Sequence, residues 1–470
     1  MVLAIVAVVR NKYLAITIGP EAFGIYGLLN SFFQVVAVFS SGWIATGTTK
    51  YVSEYYNVEK TKEINEVFTF SVVVVLGIGL VLTALLVLGC NKIIEIFFSP
   101  EIAKSYYLLF AAGFVWMSLS PIFFSVLQGM MQVKAVVWVR IISSGINLFF
   151  MLVLVYFFKL LGFFISLLIS TIWTSILLFY FIRSRGKLKF TKISLMDLVA
   201  RKLMTFGSIT LLLSIINLGS QYLQRIIIIH KMDISSVGIF QAAVSLMAYI
   251  GLINQGSIFY FFPKMSEAMS DNERVVQINN YIFFVLFMSI LICVTSVLFA
   301  SWGIQLMYSD RFLPLASYFF WFVLAQFLSN MGIASQFTLV GTARLGMHTI
   351  SVIAIHLLYV LIPLLWIEKY GIASLGVGFV VGQLLGMLLN FGYLRYRIGF
   401  RFTSRSIWLF ILGIVGIIIS KLCVDDNVLS RLVILVVITG AISLFLKQEE
   451  RLAMVRIVRN KLRGVLSAKK

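Results

Sequence analysis

The chain is a succession of long apolar runs separated by short polar loops. The runs last about 18 to 25 residues, a length that lets a helix cross the hydrocarbon core of a bilayer. Backbone polar groups in lipid must be satisfied internally, which leaves only helices or closed barrels. The runs do not alternate apolar and polar residues as barrel strands do. We therefore predict an all-α polytopic membrane protein.

Fourteen predicted spans account for the apolar runs. The start of the chain has no basic region before its apolar stretch and no small-residue cleavage signal, so we predict a retained first span and not a signal peptide. The last two spans are separated by Asp425-Asp426-Asn427, which is typical of a tight turn. The spans fall at 1–19, 22–46, 67–90, 105–127, 136–158, 162–182, 203–229, 236–262, 278–300, 314–340, 346–367, 372–394, 407–424 and 429–446.

The composition and the charge distribution fit this prediction and orient it. Of the 470 residues, 61% are hydrophobic and 12% are charged, and the mean hydropathy is +1.02. If both termini are cytoplasmic, 26 of the 38 Lys and Arg residues fall in the cytoplasmic segments, which is the bias that sets orientation. These basic tracts, which dominate the net charge of +20, lie beside the membrane and lack interleaved aromatic residues, so we expect no nucleic-acid partner.

The sequence contains an internal repeat. Gly24 and Gly238 lie in similar surroundings 214 positions apart, and the same offset pairs Lys50 with Lys264. Six spans separate the copies, which gives them the same orientation and predicts two six-helix lobes around a substrate path. The predicted division is an N-lobe at 1–182, a basic linker at 183–202, a C-lobe at 203–394, a helix pair at 395–446 and a basic tail at 447–470.

Charge inside the spans is asymmetric. None of the 18 acidic residues lies deep in a predicted span, whereas several basic residues do. An ionisable residue in the membrane is costly and usually faces the protein interior or a watery cavity. One hypothesis is that Arg10, Lys12 and Arg225 face one another across a cavity between the lobes and hold an anion such as pyrophosphate, whose oxygens match the donors of arginine. The alternative is that they snorkel to the interface.

Three more cations are candidate substrate contacts. Lys50 and Lys264 lie at the cytoplasmic mouths of their spans, and Arg140 lies near the start of its span. The alternative role for each is a positive-inside anchor. An exporter of cationic drugs or a proton antiporter usually needs an acidic residue at membrane depth, so the absence of one favours an anionic substrate.

Enzymatic chemistry finds little support in the sequence. The segment from Gly42 to Thr48 has phosphate-loop glycine spacing, but Thr48 stands where lysine is required. His348 and His356 lie on one predicted helical face, as a membrane acyltransferase or glycan polymerase could use, yet they have no convincing partner carboxylate. The three cysteines lie in separate spans without metal-site or disulfide spacing. We therefore expect no enzyme, no metal and no cofactor.

Several motifs resemble one transporter family. In the first half they are Asn11-Lys12 with Gly19-Pro20-Glu21, and Ser41-Gly42 through Lys50 to Tyr55. In the second half they are Arg225-Ile-Ile-Ile, Val237-Gly238-Ile239-Phe240 and Phe262-Pro263-Lys264. These segments resemble Wzx-type O-antigen and enterobacterial-common-antigen flippases. The chain is thereby identified as similar to the polysaccharide transporter branch of the multidrug/oligosaccharidyl-lipid/polysaccharide exporter superfamily.

The resemblance implies both a fold and a function. It implies a V-shaped exporter fold of two six-helix lobes around a cationic cavity. It implies that an undecaprenyl-pyrophosphate-linked oligosaccharide is moved across the bacterial inner membrane, from the cytoplasmic to the periplasmic leaflet, with polysaccharide polymerase or chain-length machinery as candidate partners. The alternative within the superfamily is an ion-coupled antiporter of drugs or other small molecules.

Overall fold

The computed structural model describes residues 2–98, 102–186, 188–191, 198–252, 254, 261, 270–342, 344–422 and 428–444. Over these residues the chain is helical and contains no strand. The helices are α1 (Val2–Thr17), α2 (Gly19–Ala37), α3 (Trp43–Asn57), α4 (Thr61–Leu88), α5 (Cys90–Phe97), α6 (Lys104–Gly129), α7 (Val133–Phe181), α8 (Leu198–Lys231), α9 (Ile234–Ile250), α10 (Asp271–Leu298), α11 (Ala300–Met307), α12 (Leu315–Gly341), α13 (Leu345–Tyr370), α14 (Ala373–Ile398), α15 (Ser404–Leu422) and α16 (Val428–Leu444).

The predicted fold class is confirmed, because helices occupy the positions of the predicted spans. In the described part of the chain, ten helical stretches are long and apolar enough to cross a membrane. One of these stretches runs from α2 through the π-helical residues 38–42 into α3, and another contains α7 from its second residue onward. The number of fourteen spans stays a prediction, because some of these stretches combine segments and α9 and α16 are shorter.

The helix α7 is two helices joined by a single residue. Lys159 has φ 52° and ψ −126°, outside the helical region, and the chain is helical on both sides of it. Gly162 lies just beyond this break, where a Cβ atom would stand 2.0 Å from the carbonyl oxygen of Leu154. The two predicted spans at 136–158 and 162–182 therefore form a hairpin whose tight packing requires glycine at this position.

The chain forms two compact units, which we describe separately. Unit 1 consists of residues 1–244, 304–315 and 352–378, and unit 2 consists of residues 245–303, 316–351 and 379–470. The predicted lobe boundaries stay predictions.

In unit 1, α2 and α9 cross at two glycines. A Cβ atom on Gly24 would lie 2.0 Å from the carbonyl oxygen of Ile234, and one on Gly238 would lie 1.8 Å from that of Pro20. Pro20 and Ile234 are themselves 214 positions apart, the offset of the sequence repeat. The contacts are therefore reciprocal, as expected of two repeat copies that meet through equivalent residues. Without side chains at these points the two backbones approach directly.

Unit 1 also includes a segment from later in the sequence, residues 304–315. Lys12, in the second half of α1, donates a hydrogen bond to the carbonyl oxygen of Gln305. One turn further along, Ser309 Oγ donates to the carbonyl oxygen of Ala15 at 3.3 Å. These bonds satisfy carbonyl groups of both segments and fasten residues 304–315 to α1.

A carboxamide network lies in the interior of unit 2. The Oδ1 atom of Asn330, which is fully buried on α12, accepts hydrogen bonds from Asn254 Nδ2 and Gln326 Nε2, both at 2.7 Å. Asn330 Nδ2 donates to Ser289 Oγ on α10 at 2.9 Å. Amide side chains inside spans commonly form hydrogen bonds between helices, and these contacts fit that role.

Replacing Asn330 by alanine is expected to lower the free energy of unfolding by about 1 to 3 kcal/mol, because buried partners lose their hydrogen bonds. The measurement is thermal unfolding of the purified variant in detergent. Thr295→Ala is the matched control, since Thr295 Oγ1 is exposed and donates to Leu291 of its own helix. A midpoint for Asn330→Ala as close to wild type as that of Thr295→Ala would contradict the structural role.

Candidate functional site

A cavity of about 350 Å³ lies within unit 1. It is open on one side and is bounded by α1, by the last turns of α6 and by both halves of α7. The residues that line it are Leu3, Val6, Ala7 and Arg10 from α1, Phe124 from α6, Arg140, Ser143, Ser144 and Asn147 from the first half of α7, and Leu167, Ser170 and Thr174 from the second half.

The lining follows from helical periodicity. Along α1 the lining residues fall at positions i, i+3, i+4 and i+7 from Leu3 to Arg10, and the first half of α7 repeats this spacing from Arg140 to Asn147. Residues at these positions share one face of a helix. Each of these two walls is therefore one helix face of two turns, about 10 Å long at 1.5 Å per residue. Tyr13 holds α1 against α7, since its hydroxyl donates to the carbonyl oxygen of Leu152 at 3.1 Å.

Two guanidinium groups supply the charge of the cavity. Arg10 is half-buried, and its Nε atom lies 3.4 Å from Asn11 Oδ1. The guanidinium carbon of Arg140 lies 5.3 Å from the centre of the Phe124 ring, within the range of a cation–π contact. No acidic residue of the described chain lines the cavity, and no described carboxylate pairs with either arginine. The cavity therefore carries positive charge without a neutralising group.

Hydroxyl groups complete the polar lining. Ser143 is 8% exposed, and its Oγ atom has no hydrogen-bond partner among the described residues. A buried polar group without a partner is costly and calls for an explanation. The hydroxyl of Thr174 donates to the carbonyl oxygen of Ser170 at 2.7 Å, which leaves its oxygen available as an acceptor. A ligand with its own donors and acceptors would satisfy these groups.

The arrangement is suited to a polar anion. Arginine stays protonated in proteins and donates several hydrogen bonds in a fork that matches the oxygens of phosphate or carboxylate. Hydroxyl groups can donate to an anion or bond to a sugar. A cationic ligand would meet only like charge.

The structure brings together Arg10 and Arg140, two of the six candidate site residues. Lys12 lies instead at the bond to Gln305 described above. Lys50 is an exposed residue of α3, with its ammonium nitrogen 5.0 Å from the centre of the Tyr51 ring. Lys264 lies outside the described residues. Substrate contact by any of the six stays a prediction.

Arg225 lies in a different environment from Arg10. It is only 4% exposed, and it donates to the carbonyl oxygen of Gln221 at 2.7 Å and to Gln241 Oε1 at 2.5 Å. Its guanidinium carbon lies 5.5 Å from the centre of the Phe240 ring. The residue thus stands beside the crossing of α2 and α9, where Gln241 also packs against Gly27. In this conformation its donors are directed largely at the protein.

The serines, the threonine and Asn147 of the cavity were not identified as site residues from the sequence. The available signal was the spacing Arg140, Ser143, Ser144, Asn147, which puts four polar side chains on one face of an otherwise apolar helix. Ser170 and Thr174 repeat the pattern on the second half of α7. Polar residues at helical spacing inside a span indicate either a helix interface or a cavity, and only the structure distinguishes the two.

Comparison with known proteins identifies the family. Residues 14–317 match the family described as polysaccharide biosynthesis protein. The chain belongs to this family. The match covers more than half of the 470 residues and confirms the resemblance to polysaccharide transporters inferred from the motifs. No curated protein sequence matches the chain significantly.

Solved structures show where the fold belongs. An inward-facing multidrug resistance MATE family transporter of the MOP superfamily aligns with a TM-score of 0.74 and 16% identity over 84% of this chain and 94% of the other. The lipid II flippase MurJ, in an inward closed conformation, aligns with a TM-score of 0.73 and 16% identity over 94% of this chain and 96% of the flippase chain. A MOP superfamily transporter from Pyrococcus furiosus aligns with a TM-score of 0.64 and 16% identity over 84% of this chain and 92% of the transporter chain. These similarities show a shared transporter fold.

Proposed function

We propose that this member of the polysaccharide biosynthesis family is a Wzx-type flippase. It translocates an undecaprenyl-pyrophosphate-linked oligosaccharide, such as an O-antigen repeat unit, from the cytoplasmic to the periplasmic leaflet by alternating access. The observation that carries this proposal is the cavity in unit 1, which combines two arginines with hydroxyl groups and has no acidic residue among the described residues that line it. The likeness of the fold to a lipid II flippase supports a lipid-linked cargo.

Within the cavity, Arg10 and Arg140 hold the pyrophosphate. Two cations are needed because a pyrophosphate carries several negative charges, and charge-assisted hydrogen bonds from arginine are the strongest available to hold it. The hydroxyl groups of Ser143 and of the other serines and the threonine in the lining form hydrogen bonds with the pyrophosphate or with the first sugar. Lys12, Lys50, Arg225 and Lys264 are proposed to meet the cargo at other steps of the transport cycle.

The setting proposed for this activity is the bacterial inner membrane, with both termini in the cytoplasm. The Lys and Arg bias of the loops supports the orientation, and the family supports the pathway. Polysaccharide polymerase or chain-length machinery would receive the cargo on the periplasmic side.

A second candidate function is an ion-coupled antiporter of drugs or other small molecules. The likeness to a multidrug resistance transporter favours it, because the two chains align over most of their length. The charge of the cavity disfavours a cationic drug, since burial in a low-dielectric site strengthens repulsion between like charges. The Pyrococcus furiosus transporter is described as having a binding pocket of reversed polarity that suggests a different function, so pocket charge is a reasonable guide to cargo in this superfamily.

The test is reconstitution of the purified protein in liposomes. A fluorescent pyrophosphate-linked glycolipid placed in one leaflet should become accessible to a membrane-impermeant quencher in the other leaflet faster than in protein-free liposomes. The same glycan on a neutral lipid should not be moved. Movement of a cationic dye with no movement of the glycolipid would overturn the flippase proposal and favour the antiporter.

Ser143→Ala separates the two roles of a buried hydroxyl. Since Ser143 Oγ has no partner in the described protein, its removal is expected to leave thermal stability unchanged or slightly raised. If the hydroxyl contacts the cargo, glycolipid affinity should fall about fivefold, the equivalent of one hydrogen bond of about 1 kcal/mol. A loss of stability with unchanged affinity would show that the hydroxyl has a structural partner instead.

A further inference from the structure

A second cavity, in unit 2, has a different character. It is an open groove of about 690 Å³ at the end of α14, bounded by α15 and by the loop between these helices. Its walls are apolar except for two arginines, Arg395 and Arg401, and no acidic residue of the described chain lines it. An apolar track that ends at positive charge is complementary to an amphiphile that has an apolar chain and an anionic head.

One face of α14 forms the track. Leu384, Leu388 and Gly392 succeed one another at intervals of four residues, and Arg395 follows in the last turn of the helix. From Leu384 to Gly392 the face is about 12 Å long at 1.5 Å per residue. Leu388 is 72% exposed, so the track lies open at the surface of the unit. A long apolar chain can therefore lie along it without displacing protein side chains.

The floor of the groove is built from aromatic rings. The ring centres of Phe391 and Phe400 lie 5.3 Å apart, and Phe402 lies 4.8 Å from each of them. Phe391 and Phe400 are buried. Packed aromatic rings at these distances fix one another in position, so the groove is formed before anything enters it.

The loop that carries Arg401 is also fixed. Asn279 on α10 donates from Nδ2 to the carbonyl oxygen of Arg401 at 3.0 Å, and its Oδ1 atom accepts from the backbone N–H of Thr403 at 3.0 Å. One carboxamide thus holds the backbone on both sides of the loop residue Phe402. Arg401 projects from a preset backbone at the end of the apolar track.

The charge around the groove is of one sign. Between Lys369 and Val424 the sequence has no acidic residue, and Arg395, Arg397, Arg401 and Arg405 fall within eleven positions. The predicted orientation places this loop in the cytoplasm, beside the leaflet whose lipids are negatively charged. A free phosphate would use the arginines but not the apolar track, which favours a lipid.

We propose that the groove binds an anionic phospholipid of the bilayer, with an acyl chain along the face from Leu384 to Gly392 and the headgroup phosphate between Arg395 and Arg401. The site is distinct from the cavity in unit 1, and its occupation does not depend on the transported substrate. Gly392 provides a direct way to close it, because a Cβ atom there has no neighbour within 4 Å. A larger side chain at this position would fill the groove without straining the helix.

The experiment measures lipid binding to the purified full-length protein by native mass spectrometry, with phosphatidylglycerol and phosphatidylcholine as probes. Phosphatidylglycerol should be retained at least fivefold more than phosphatidylcholine. Arg395→Gln and Arg401→Gln should each weaken its binding about fivefold, the effect expected of one basic residue at a membrane surface. Gly392→Leu should remove the retained lipid while leaving both arginines in place.

Matched controls distinguish lipid binding in this groove from nonspecific attraction of anionic lipid by the surrounding positive charge. Arg397→Gln alters an exposed arginine of the same helix turn that does not line the groove, and Gly77→Leu alters an exposed helical glycine that also has no close neighbour. Both controls should bind phosphatidylglycerol within twofold of wild type. Equal losses for Arg397→Gln and Arg395→Gln, or unchanged binding by Gly392→Leu, would overturn the proposal. So would displacement of phosphatidylglycerol by an equal or lower concentration of undecaprenyl phosphate, since the occupant would then be the carrier lipid.

Discussion

Replacing Gly238 by alanine is expected to cost more than about 3 kcal/mol of stability, because overpacking is most costly where the opposing atom cannot move. The added Cβ atom would lie 1.8 Å from the carbonyl oxygen of Pro20, and that oxygen belongs to the backbone of a packed helix. The helices α2 and α9 would have to separate, and the buried contacts around the crossing would be lost. Thermal unfolding of the purified variant, together with its yield from membranes, measures the effect.

The repeat provides a second variant, and α8 provides the control. Gly24→Ala should be as damaging as Gly238→Ala, because its Cβ atom would lie 2.0 Å from the carbonyl oxygen of Ile234. Gly219 on α8 has no atom within 4 Å of its Cβ position, so Gly219→Ala should be neutral or slightly stabilising, as alanine is favoured over glycine in a helix. If Gly238→Ala unfolded at the same temperature as Gly219→Ala, the close helix crossing would be wrong.

Loss of either arginine from the cavity of unit 1 is expected to have the largest effect on transport. Each guanidinium contributes charge-assisted hydrogen bonds of about 1.5 to 3 kcal/mol, so Arg10→Ala and Arg140→Ala should each weaken glycolipid binding about 10- to 150-fold. Lysine at either position should restore only part of the affinity, because it keeps the charge and loses the fork of donors. Surface polysaccharide in a complemented flippase-null strain and glycolipid binding to purified protein are the two measurements.

The control for these variants is Lys62→Ala, which removes an exposed cation near the start of α4. It should support wild-type levels of surface polysaccharide. The variant Arg10→Ala/Arg140→Ala tests whether the two side chains act on one group, since residues that share a ligand give non-additive effects. Full activity of both alanine variants, in protein of normal abundance, would remove the cavity from the mechanism.

The sequence predicted the helices well because the bilayer imposes a simple rule. A span must be long, apolar and internally hydrogen-bonded, so helices such as α6 and α12 begin and end close to the predicted boundaries. The glycine repeat also carried spatial information, since Gly24 and Gly238 proved to touch. The break in α7 was placed correctly between two spans, but its reduction to one non-helical residue at Lys159 could not be foreseen. Backbone conformation at a single residue depends on the packing around it.

The candidate site was harder to predict, because hydropathy finds helices and not the faces they turn toward one another. Arg10 was identified by its cost in the membrane. Arg10 was expected to face Lys12 and Arg225, which stays a prediction, whereas the cavity that it lines also contains Arg140, which is 130 positions away in sequence. Ser143 was overlooked because a lone serine in a span is common, and its significance comes only from the missing partner at its Oγ atom. Such information exists only in three dimensions.

The hairpin at Lys159 has a mechanical consequence for transport. Both halves of α7 line the cavity, and they pack closely beside the break, where Gly162 meets Leu154, so we expect their polar faces to move together. A further wall, α1, is connected to α7 only through the five helices between them, and it contacts α7 directly through bonds such as the one from Tyr13 to Leu152. If the proposed function holds, we expect α1 to be the wall that moves when the cargo is released, so that Arg10 leaves the pyrophosphate before Arg140 does.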